Sequence, residues 1–284
     1  MIPLKDLNPT RTRAYLTVAL IAFNALVFFW QVGHRGLDGE LLFYRYGVIP
    51  KCFVTQWDSE KHDAALEEGL KRLAMLRTQA ELRARGHRFV SIRHLEEEAE
   101  RLAHEWREQI GPRHEWLTLF TSMFMHGGLL HVIGNMWFLW IFGNNIEDAC
   151  GRIRFIVFYL LCGLLATLAH VVMGPSSVVP TIGASGAISG VLGAYILLFP
   201  HAKVYSLIGL GYVYWFQEVP AWIFLGVWIG LQLLNAIPML HNPAVGGVAV
   251  FAHIGGFLAG MALIYLFRQR RAVPPVGIEF DLDA

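Results

Sequence analysis

Charged residues and cysteines are scarce in this chain, and each shortage excludes a class of protein. Asp, Glu, Lys and Arg make up 16% of the 284 residues and hydrophobic residues 55%, a composition too apolar for an ordinary soluble domain. The three cysteines have no CxxC spacing and an odd count, so a disulfide framework is not expected. The net charge of +1 identifies no partner, and we expect no nucleic acid, metal or cofactor.

Six apolar segments are long enough to cross a bilayer, which takes about 20 residues of helix. They are residues 14–33, 128–146, 153–174, 183–200, 219–238 and 250–267. The first segment is not followed by a small-residue cleavage site, so we interpret it as a transmembrane span rather than a signal peptide. The composition therefore predicts an all-α membrane protein with six transmembrane helices.

The basic residues of the short loops predict that both chain ends are cytoplasmic. Lys or Arg residues precede the first span, lie between the second and third and between the fourth and fifth, and follow the sixth. The loops 175–182 and 239–249, on the other side, contain neither residue type. This pattern predicts a multi-pass integral membrane protein with cytoplasmic termini.

A long polar insert separates the first two spans. Residues 57–111 carry 22 of the 45 charged residues of the chain. Their hydrophobic periodicity predicts two amphipathic helices, 59–86 and 91–110, broken at Gly86. We interpret this unit as a solvated helical hairpin packed on the membrane domain, outside the cytoplasm. Recruitment of a partner or substrate through 59–110 is the alternative.

These features divide the chain into four predicted regions. They are a cytoplasmic N-terminus with the first span, the extra-cytoplasmic insert, a core of five further spans and a disordered cytoplasmic tail, at residues 1–33, 34–115, 116–270 and 271–284. Within the core, the aromatic-rich segment 203–218 is too short and too interrupted to span. Because Trp and Tyr favour the membrane interface, we expect this segment to lie along the cytoplasmic surface.

Four polar side chains inside the predicted spans are candidate functional groups, because burying such groups in a bilayer is costly. They are His131 and Asn135 in the second span, Ser185 in the fourth and His253 in the sixth. At a rise of about 1.5 Å per residue, Ser185, His253 and Asn135 lie about 27, 23 and 26 Å from the cytoplasmic boundary. His131 lies one turn from Asn135 on the same face. We therefore expect all four near one level in the outer half of the bilayer.

Together these groups predict a hydrolase site. Histidine is the commonest base that activates a serine hydroxyl, so Ser185 is the candidate nucleophile and His253 its base. The side chains of His131 and Asn135 and the backbone N–H of Ser185 are candidate donors to an oxyanion. A Ser–His dyad is favoured over a triad, because the sequence places no Asp or Glu at this depth.

Alternatives to this assignment stay open at the level of the sequence. Ser189 lies one turn after Ser185 and is a competing hydroxyl, and His241 in an outer loop is a rival base. Taken singly, each site residue also has an ordinary structural interpretation as a packing or helix-linking group. The assignment depends on their predicted convergence.

Glycine pairs predict that the fourth and sixth spans are in contact. Gly186 and Gly190 form a GxxxG pattern in the fourth span, and Gly256 and Gly260 form another in the sixth. Such faces let two helix backbones approach closely in a membrane. Contact between these spans would bring Ser185 within reach of a base in the sixth.

Four motifs form a specific combination. They are GASGAISG at 183–190, AHIGGFLAG at 252–260, HGGLLHVIGNMWFLWIFG at 126–143, and an E-x-x-x-G at Glu147 and Gly151. This combination resembles the rhomboid intramembrane serine proteases, in which similar stretches carry the nucleophile, the catalytic histidine, the second span and its end. The resemblance covers residues 14–33 and about 113–270.

The resemblance implies a bacterial-type six-helix rhomboid bundle in an inner or plasma membrane, with the active site toward the outer side. It implies a serine endopeptidase that cleaves transmembrane segments of membrane proteins, with lipid as its only other partner and no metal. The residues implied are catalytic Ser185 and His253, oxyanion-binding His131 and Asn135, and site-adjacent or structural His126, Gly183 and Gly186.

Two positions depart from the family pattern. Leu117 stands where many members have arginine, and Ser189 where many have an aromatic ring stacked on the histidine. His253 would therefore be held less tightly or by another residue. The alternative function is a non-catalytic rhomboid-like chaperone or client-binding protein, although inactive relatives typically lack the serine or the histidine. A transporter is disfavoured, because the sequence has no internal repeat and no midplane carboxylates.

Overall fold

The computed structural model describes residues 1–34, 36–85, 91–210, 212–241 and 249–269. Across these ranges the chain forms eleven α-helices, three β-strands and a 3₁₀ turn. The helices are α1 (Tyr15–Gly33), α2 (Leu37–Tyr46), α3 (Pro50–Thr55), α4 (Ser59–Ala84), α5 (Ile92–Ile110), α6 (Glu115–Thr121), α7 (Leu129–Cys150), α8 (Arg152–Met173), α9 (Ser185–Leu198), α10 (Ala221–His241) and α11 (Val250–Phe267). The remaining elements are the 3₁₀ turn (Ser122–Phe124), β1 (Ile2–Asp6), β2 (Lys203–Leu210) and β3 (Val213–Pro220). The predicted break at Gly86 and the predicted tail 271–284 lie outside the described residues.

Four described helices are long and apolar enough to cross a membrane, namely α1, α8, α10 and α11. The segment Glu115–Phe124 and helix α7 pass the same test together, but they meet at a bend of 81°, so they make a fifth span only if the pair counts as one. Helix α9 has 14 residues. At about 1.5 Å per residue it covers about 21 Å, less than the roughly 30 Å hydrocarbon core. The chain is a multi-pass helical membrane protein, and its predicted six spans are not confirmed.

Helix α9 lies at the centre of the bundle. Each residue from Gly186 to Tyr195 is buried, because α7, α8 and α11 pack around the helix. A Cβ atom on Gly256 would lie 2.1 Å from the carbonyl oxygen of Gly186, and one on Gly260 would lie 1.9 Å from that of Gly190. No side chain fits in these gaps, so the predicted glycine-mediated contact between the fourth and sixth spans is confirmed.

The predicted all-α architecture needs one correction. Strands β1, β2 and β3 form an antiparallel sheet in that order, and β2 and β3 include the segment 203–218 that was expected only to lie along the membrane surface. The segment is rich in Tyr, Trp, Phe and Val, which fit a pleated surface. The rings of Tyr205 and Phe216, for example, stack with centroids 5.7 Å apart.

The insert contains the two predicted helices as α4 and α5, and it also contains α2 and α3, which were not predicted. These four helices share a hydrophobic core of their own. Its buried residues include Leu41, Tyr44, Ile49, Cys52, Leu66, Leu70, Ala103, Trp106 and Ile110. Leu76 lies at helical spacing from Leu66, Leu70 and Leu73 on α4, but it is 59% exposed. The hairpin is therefore a packed unit and not an isolated pair of solvated helices.

The E-x-x-x-G motif at the end of α7 joins α7 to the start of α1. Helix α1 has no N-cap side chain of its own. The buried carboxylate of Glu147 accepts hydrogen bonds from the backbone N–H of Leu16 at 3.0 Å and of Thr17 at 2.7 Å. Gly151 has a φ of +78°, which lets the chain turn directly from α7 into α8. The motif thus satisfies free N–H groups at a helix start.

Candidate active site

The structure brings Ser185 and His253 into direct contact. Ser185 is the first residue of α9, and His253 lies in the first turn of α11. The Ser185 Oγ and the His253 Nε2 are 2.8 Å apart, a hydrogen-bonding distance. Both side chains are half-buried. The glycine contacts between α9 and α11 bring the two helix backbones close enough for this pair to form.

The competing hydroxyl of Ser189 points away from this contact. Its side chain is 1% exposed, and its Oγ donates a hydrogen bond of 2.6 Å to the backbone carbonyl of Ser185. A buried hydroxyl that is bonded one turn back along its own helix is poorly placed to attack a substrate. Of the two candidate hydroxyls, that of Ser185 is therefore the better placed for attack. The side chain of His241, the rival base, lies outside the described residues.

Gln232 on α10 is a site residue that the sequence analysis missed. Its Oε1 lies 3.0 Å from the Nδ1 of His253. An amide oxygen only accepts hydrogen bonds, so Nδ1 carries the proton and Nε2 is left as the acceptor facing Ser185. Trp228, one turn earlier on the same face of α10, has its ring 6.0 Å from the imidazole. Residues of α10 thus support His253 where Ser189 supplies no aromatic ring.

His131 and Asn135 lie beside Gly183, two residues before Ser185. A Cβ atom built on Gly183 would lie 2.8 Å from the His131 Nε2 and 3.7 Å from the Asn135 Nδ2. Gly183 has a φ of +121°, so this position favours glycine on both steric and backbone grounds. His131, Asn135, Ser185 and His253 therefore converge on the start of α9.

Both candidate oxyanion donors, Asn135 and His131, are oriented to donate a hydrogen bond toward the space beside Gly183. The Asn135 Nδ2 is buried and has no hydrogen-bond partner among the described residues. The Nδ1 of His131 accepts a hydrogen bond of 3.3 Å from the backbone N–H of Gly127, which leaves the proton on Nε2, the atom facing Gly183. A buried donor without a partner is unusual in a folded protein, and a catalytic role is one explanation for it.

His126 packs against His131 and takes no part in the Ser185–His253 contact. The side-chain amide of Gln31 on α1 holds the backbone of His126 through two hydrogen bonds of 3.1 Å. Gln31 Nε2 donates to the carbonyl oxygen of His126, and Gln31 Oε1 accepts from the N–H of His126. The buried ring of His126 meets the ring of His131 edge to face, with centroids 5.0 Å apart. This contact helps to set the orientation of His131.

Arg113 contributes the arginine contacts in the loop before α7, where Leu117 departs from the family pattern. The guanidinium of Arg113 pairs with the Glu115 carboxylate at 2.8 Å and donates to the carbonyl oxygen of Gly47 at 3.1 Å. Both charged side chains are almost fully buried. An arginine four residues before Leu117 thus ties the start of α6 to the turn between α2 and α3.

A cavity of about 1110 Å³ opens beside the Ser185–His253 pair. Its walls include Asn135 and His131, the apolar loop residues Val178 and Val179, and Phe251. The described residues contain no group of three or more His, Cys, Asp or Glu side chains that could hold a metal ion. The chemistry available here is that of a serine hydroxyl, an imidazole and hydrogen-bond donors beside a large, mainly apolar space.

The fold and the site define a class of protein: a multi-pass helical membrane protein in which a serine at the start of a buried helix contacts a histidine on its neighbour. The family model described as Rhomboid domain matches residues 113–270, which is more than half of the chain. The chain belongs to the rhomboid family.

Several curated proteins are similar to this chain. Rhomboid protease GluP of Bacillus subtilis is 32% identical over 151 residues, which cover 52% of this chain and 26% of that protein. RHOMBOID-like protein 6, mitochondrial, of Arabidopsis thaliana is 29% identical over 164 residues, covering 57% and 47%. Rhomboid protein 1, mitochondrial, of Saccharomyces cerevisiae is 36% identical over 92 residues, covering 31% and 27%. The chain thus spans less than half the length of each of these relatives.

Proposed function

We propose that this protein is an intramembrane serine endopeptidase that cleaves transmembrane segments of other membrane proteins. The observation that carries the proposal is the 2.8 Å contact between the Ser185 Oγ and the His253 Nε2. Membership of the rhomboid family, and the name protease borne by a relative in Bacillus subtilis, support it. Ser185 is the nucleophile and His253 the general base.

Catalysis begins when the Ser185 Oγ attacks the carbonyl carbon of the scissile peptide bond and His253 Nε2 takes the hydroxyl proton. The carbonyl oxygen becomes an oxyanion, and the candidate donors are the Asn135 Nδ2, the His131 Nε2 and the backbone N–H of Ser185. His253 then gives its proton to the leaving amine as the peptide bond breaks. A water molecule hydrolyses the acyl-enzyme by the same steps and frees Ser185.

Gln232 acts in this scheme as a positioning residue. Its hydrogen bond fixes the neutral tautomer of His253 that has a free Nε2, and it stabilises the imidazolium that forms during attack. An amide provides less electrostatic stabilisation than the carboxylate of a Ser–His–Asp triad, because it carries no charge. The site therefore extends the predicted dyad by a neutral third member.

The remaining expectations belong to the same proposal. The termini are cytoplasmic, the insert projects on the opposite side, and the site opens toward that side of a bacterial inner or plasma membrane. The division of the chain at residues 33, 115 and 270 stays a prediction. Substrates reach Ser185 from the bilayer, where helix-destabilising residues help to expose the scissile bond.

The proposal is tested by matched serine variants of the full chain in liposomes. A fluorophosphonate probe is expected to label the wild type and Ser189→Ala but not Ser185→Ala. Cleavage of a model transmembrane substrate is expected to fall by at least about 1000-fold in Ser185→Ala and in His253→Ala. Cleavage retained by folded Ser185→Ala would overturn the proposal. Binding of the substrate without cleavage by the wild type would favour the non-catalytic client-binding function instead.

A further inference from the structure

Helix α4 of the insert reaches the cavity that contains the proposed nucleophile. Glu68 and Arg72 line the same cavity of about 1110 Å³ as Ser185 and His253. The two insert residues are four positions apart and so share one face of α4. The catalytic cavity therefore has a charged wall that the membrane helices do not supply.

Two contacts hold the insert against the loop that precedes Ser185, and a third fixes α4 within the insert. A Cβ atom on Gly69 would lie 2.9 Å from the carbonyl oxygen of Val178, so α4 packs directly on the loop backbone. The hydroxyl of Tyr44 on α2 donates to the carbonyl oxygen of Gly69 at 3.0 Å. The backbone N–H of Lys51 on α3 donates to the carbonyl oxygen of Ser177 at 2.9 Å. The insert and the loop thus form one packed surface.

A further anchor lies at the start of α4. His62 hydrogen-bonds through Nε2 to the nearly buried carboxylate of Glu115 on α6, at 2.9 Å. This hydrogen bond raises the pKa of His62, because it favours the charged imidazolium. Glu115 also pairs with Arg113, as described above. Helix α4 is therefore fixed near its start by α6 and at Gly69 by the loop before Ser185.

One charged group on this wall, Arg72, is left without an ion-pair partner among the described residues. Glu68 is paired with Lys51 at 2.5 Å, and the neighbouring Lys71 is paired with Glu67 and Glu100 at 3.4 and 3.3 Å. Arg72 is exposed and has no carboxylate within 4.0 Å in the described part of the chain. A cationic group thus faces the cavity, free to pair with a charge on a bound molecule.

We propose that the insert selects substrates by their charge: Arg72 binds acidic residues in the extramembrane segment next to the transmembrane segment being cleaved. The inference rests on the proposed protease function. The apolar part of the cavity, at Val178 and Val179, suits the membrane segment of a substrate. Arg72 lines the same cavity from the insert helix α4, so it is placed to meet the extramembrane segment that adjoins that membrane segment. Opposite charges on the enzyme and on the substrate speed their encounter and help to fix which substrate residue lies at Ser185.

The experiment compares two model substrates with identical transmembrane segments. One carries four Asp residues and the other four Lys residues in the extramembrane segment on the insert side. The full-length wild type in liposomes is expected to cleave the acidic substrate with a kcat/KM about 2- to 5-fold higher, the range that single exposed ion pairs provide. Arg72→Glu is expected to reverse the preference. Arg83→Glu, an equal charge change about 16 Å further along α4, should leave it unchanged.

A small fluorophosphonate probe separates this inference from the function on which it rests. The probe reaches Ser185 without an extramembrane segment, so all three proteins are expected to be labelled at the same rate. Equal cleavage of the two substrates by a labelled wild type would overturn the role of Arg72 and leave the protease assignment intact. If Arg83→Glu changes the preference for the acidic substrate as much as Arg72→Glu does, the role of Arg72 would also be overturned. Absence of labelling and of cleavage in the wild type would overturn both.

Discussion

The Nδ1 of His253 lies 3.0 Å from the Oε1 of Gln232, so the proposed base is held from α10, a helix that packs against both α9 and α11. The same helix presents the ring of Trp228 to the imidazole. In the family pattern an aromatic ring one turn after the nucleophile holds the histidine, and that position is Ser189 here. Support for the base has therefore moved from the nucleophile helix to its neighbour.

Gln232→Leu is expected to lower kcat for a transmembrane substrate by about 10- to 100-fold, because the imidazole loses the acceptor that fixes its tautomer. KM is expected to change little, since Gln232 does not line the cavity. Gln232→Glu should retain activity, because a carboxylate accepts the same hydrogen bond. It should also move the acid limb of the pH profile of kcat to higher pH, because the added charge stabilises the imidazolium. A purely structural role for Gln232 would leave that limb where it is.

Asn135→Ala is expected to reduce turnover by about 10- to 1000-fold while the protein remains folded, since a buried donor to the oxyanion is lost. Asn24 provides a matched control, because it is also a buried asparagine and its Nδ2 donates to the carbonyl oxygen of Leu20 at 2.8 Å. Asn24→Ala should lower thermal stability and leave the rate per folded molecule unchanged. If Asn135→Ala behaves in the same way, Asn135 is a structural link and not an oxyanion donor.

The sequence was sufficient to predict that Ser185 and His253 meet. Because each residue of a helix adds about 1.5 Å, the number of residues from the end of each predicted span placed both side chains at a similar depth. It did not predict Gln232, since a search for an orienting Asp or Glu passes over an amide within an apolar run. Gln232 is nevertheless a strongly polar side chain inside a predicted span, so the signal was present. The β-sheet was missed for other reasons. Strand β1 pairs with β2 about 200 positions further along the chain, and the local pairing of β2 with β3 lies in an aromatic-rich segment whose composition also fits a membrane surface.

Gly260→Ala is expected to destabilise the bundle, because a Cβ atom there would lie 1.9 Å from the carbonyl oxygen of Gly190 and push α11 away from α9. Overpacking of this kind typically costs about 1–3 kcal/mol, and cleavage should fall as the Ser185–His253 contact opens. Gly226→Ala on α10 is the control, since a Cβ atom at that position meets nothing within 4 Å. Thermal unfolding in detergent and probe labelling would measure both effects. Equal stability of the two variants would contradict the close contact.

Asp6 on β1 predicts a pH dependence of stability. Its carboxylate accepts hydrogen bonds from the hydroxyl of Tyr195, at 3.0 Å, and from the side-chain amide of Asn145. Burial nevertheless raises the pKa of Asp6 from its ordinary 3.8 to about 6. The folded state therefore binds this proton more tightly than the unfolded chain. The contribution of Asp6 to stability is greatest below about pH 4 and is lost as the pH rises toward about 6.

Asp6→Asn removes this titration, so the fall in melting temperature between about pH 4 and pH 6 should be smaller in the variant than in the wild type. Asp63→Asn serves as the control, because Arg107 lowers the pKa of Asp63 and its effect falls below about pH 4, outside this window. Melting curves in detergent across this range provide the measurement. Parallel curves for the wild type and Asp6→Asn would show that the carboxyl group is already ionised at low pH, and the network around Tyr195 would then be held by a charged Asp6.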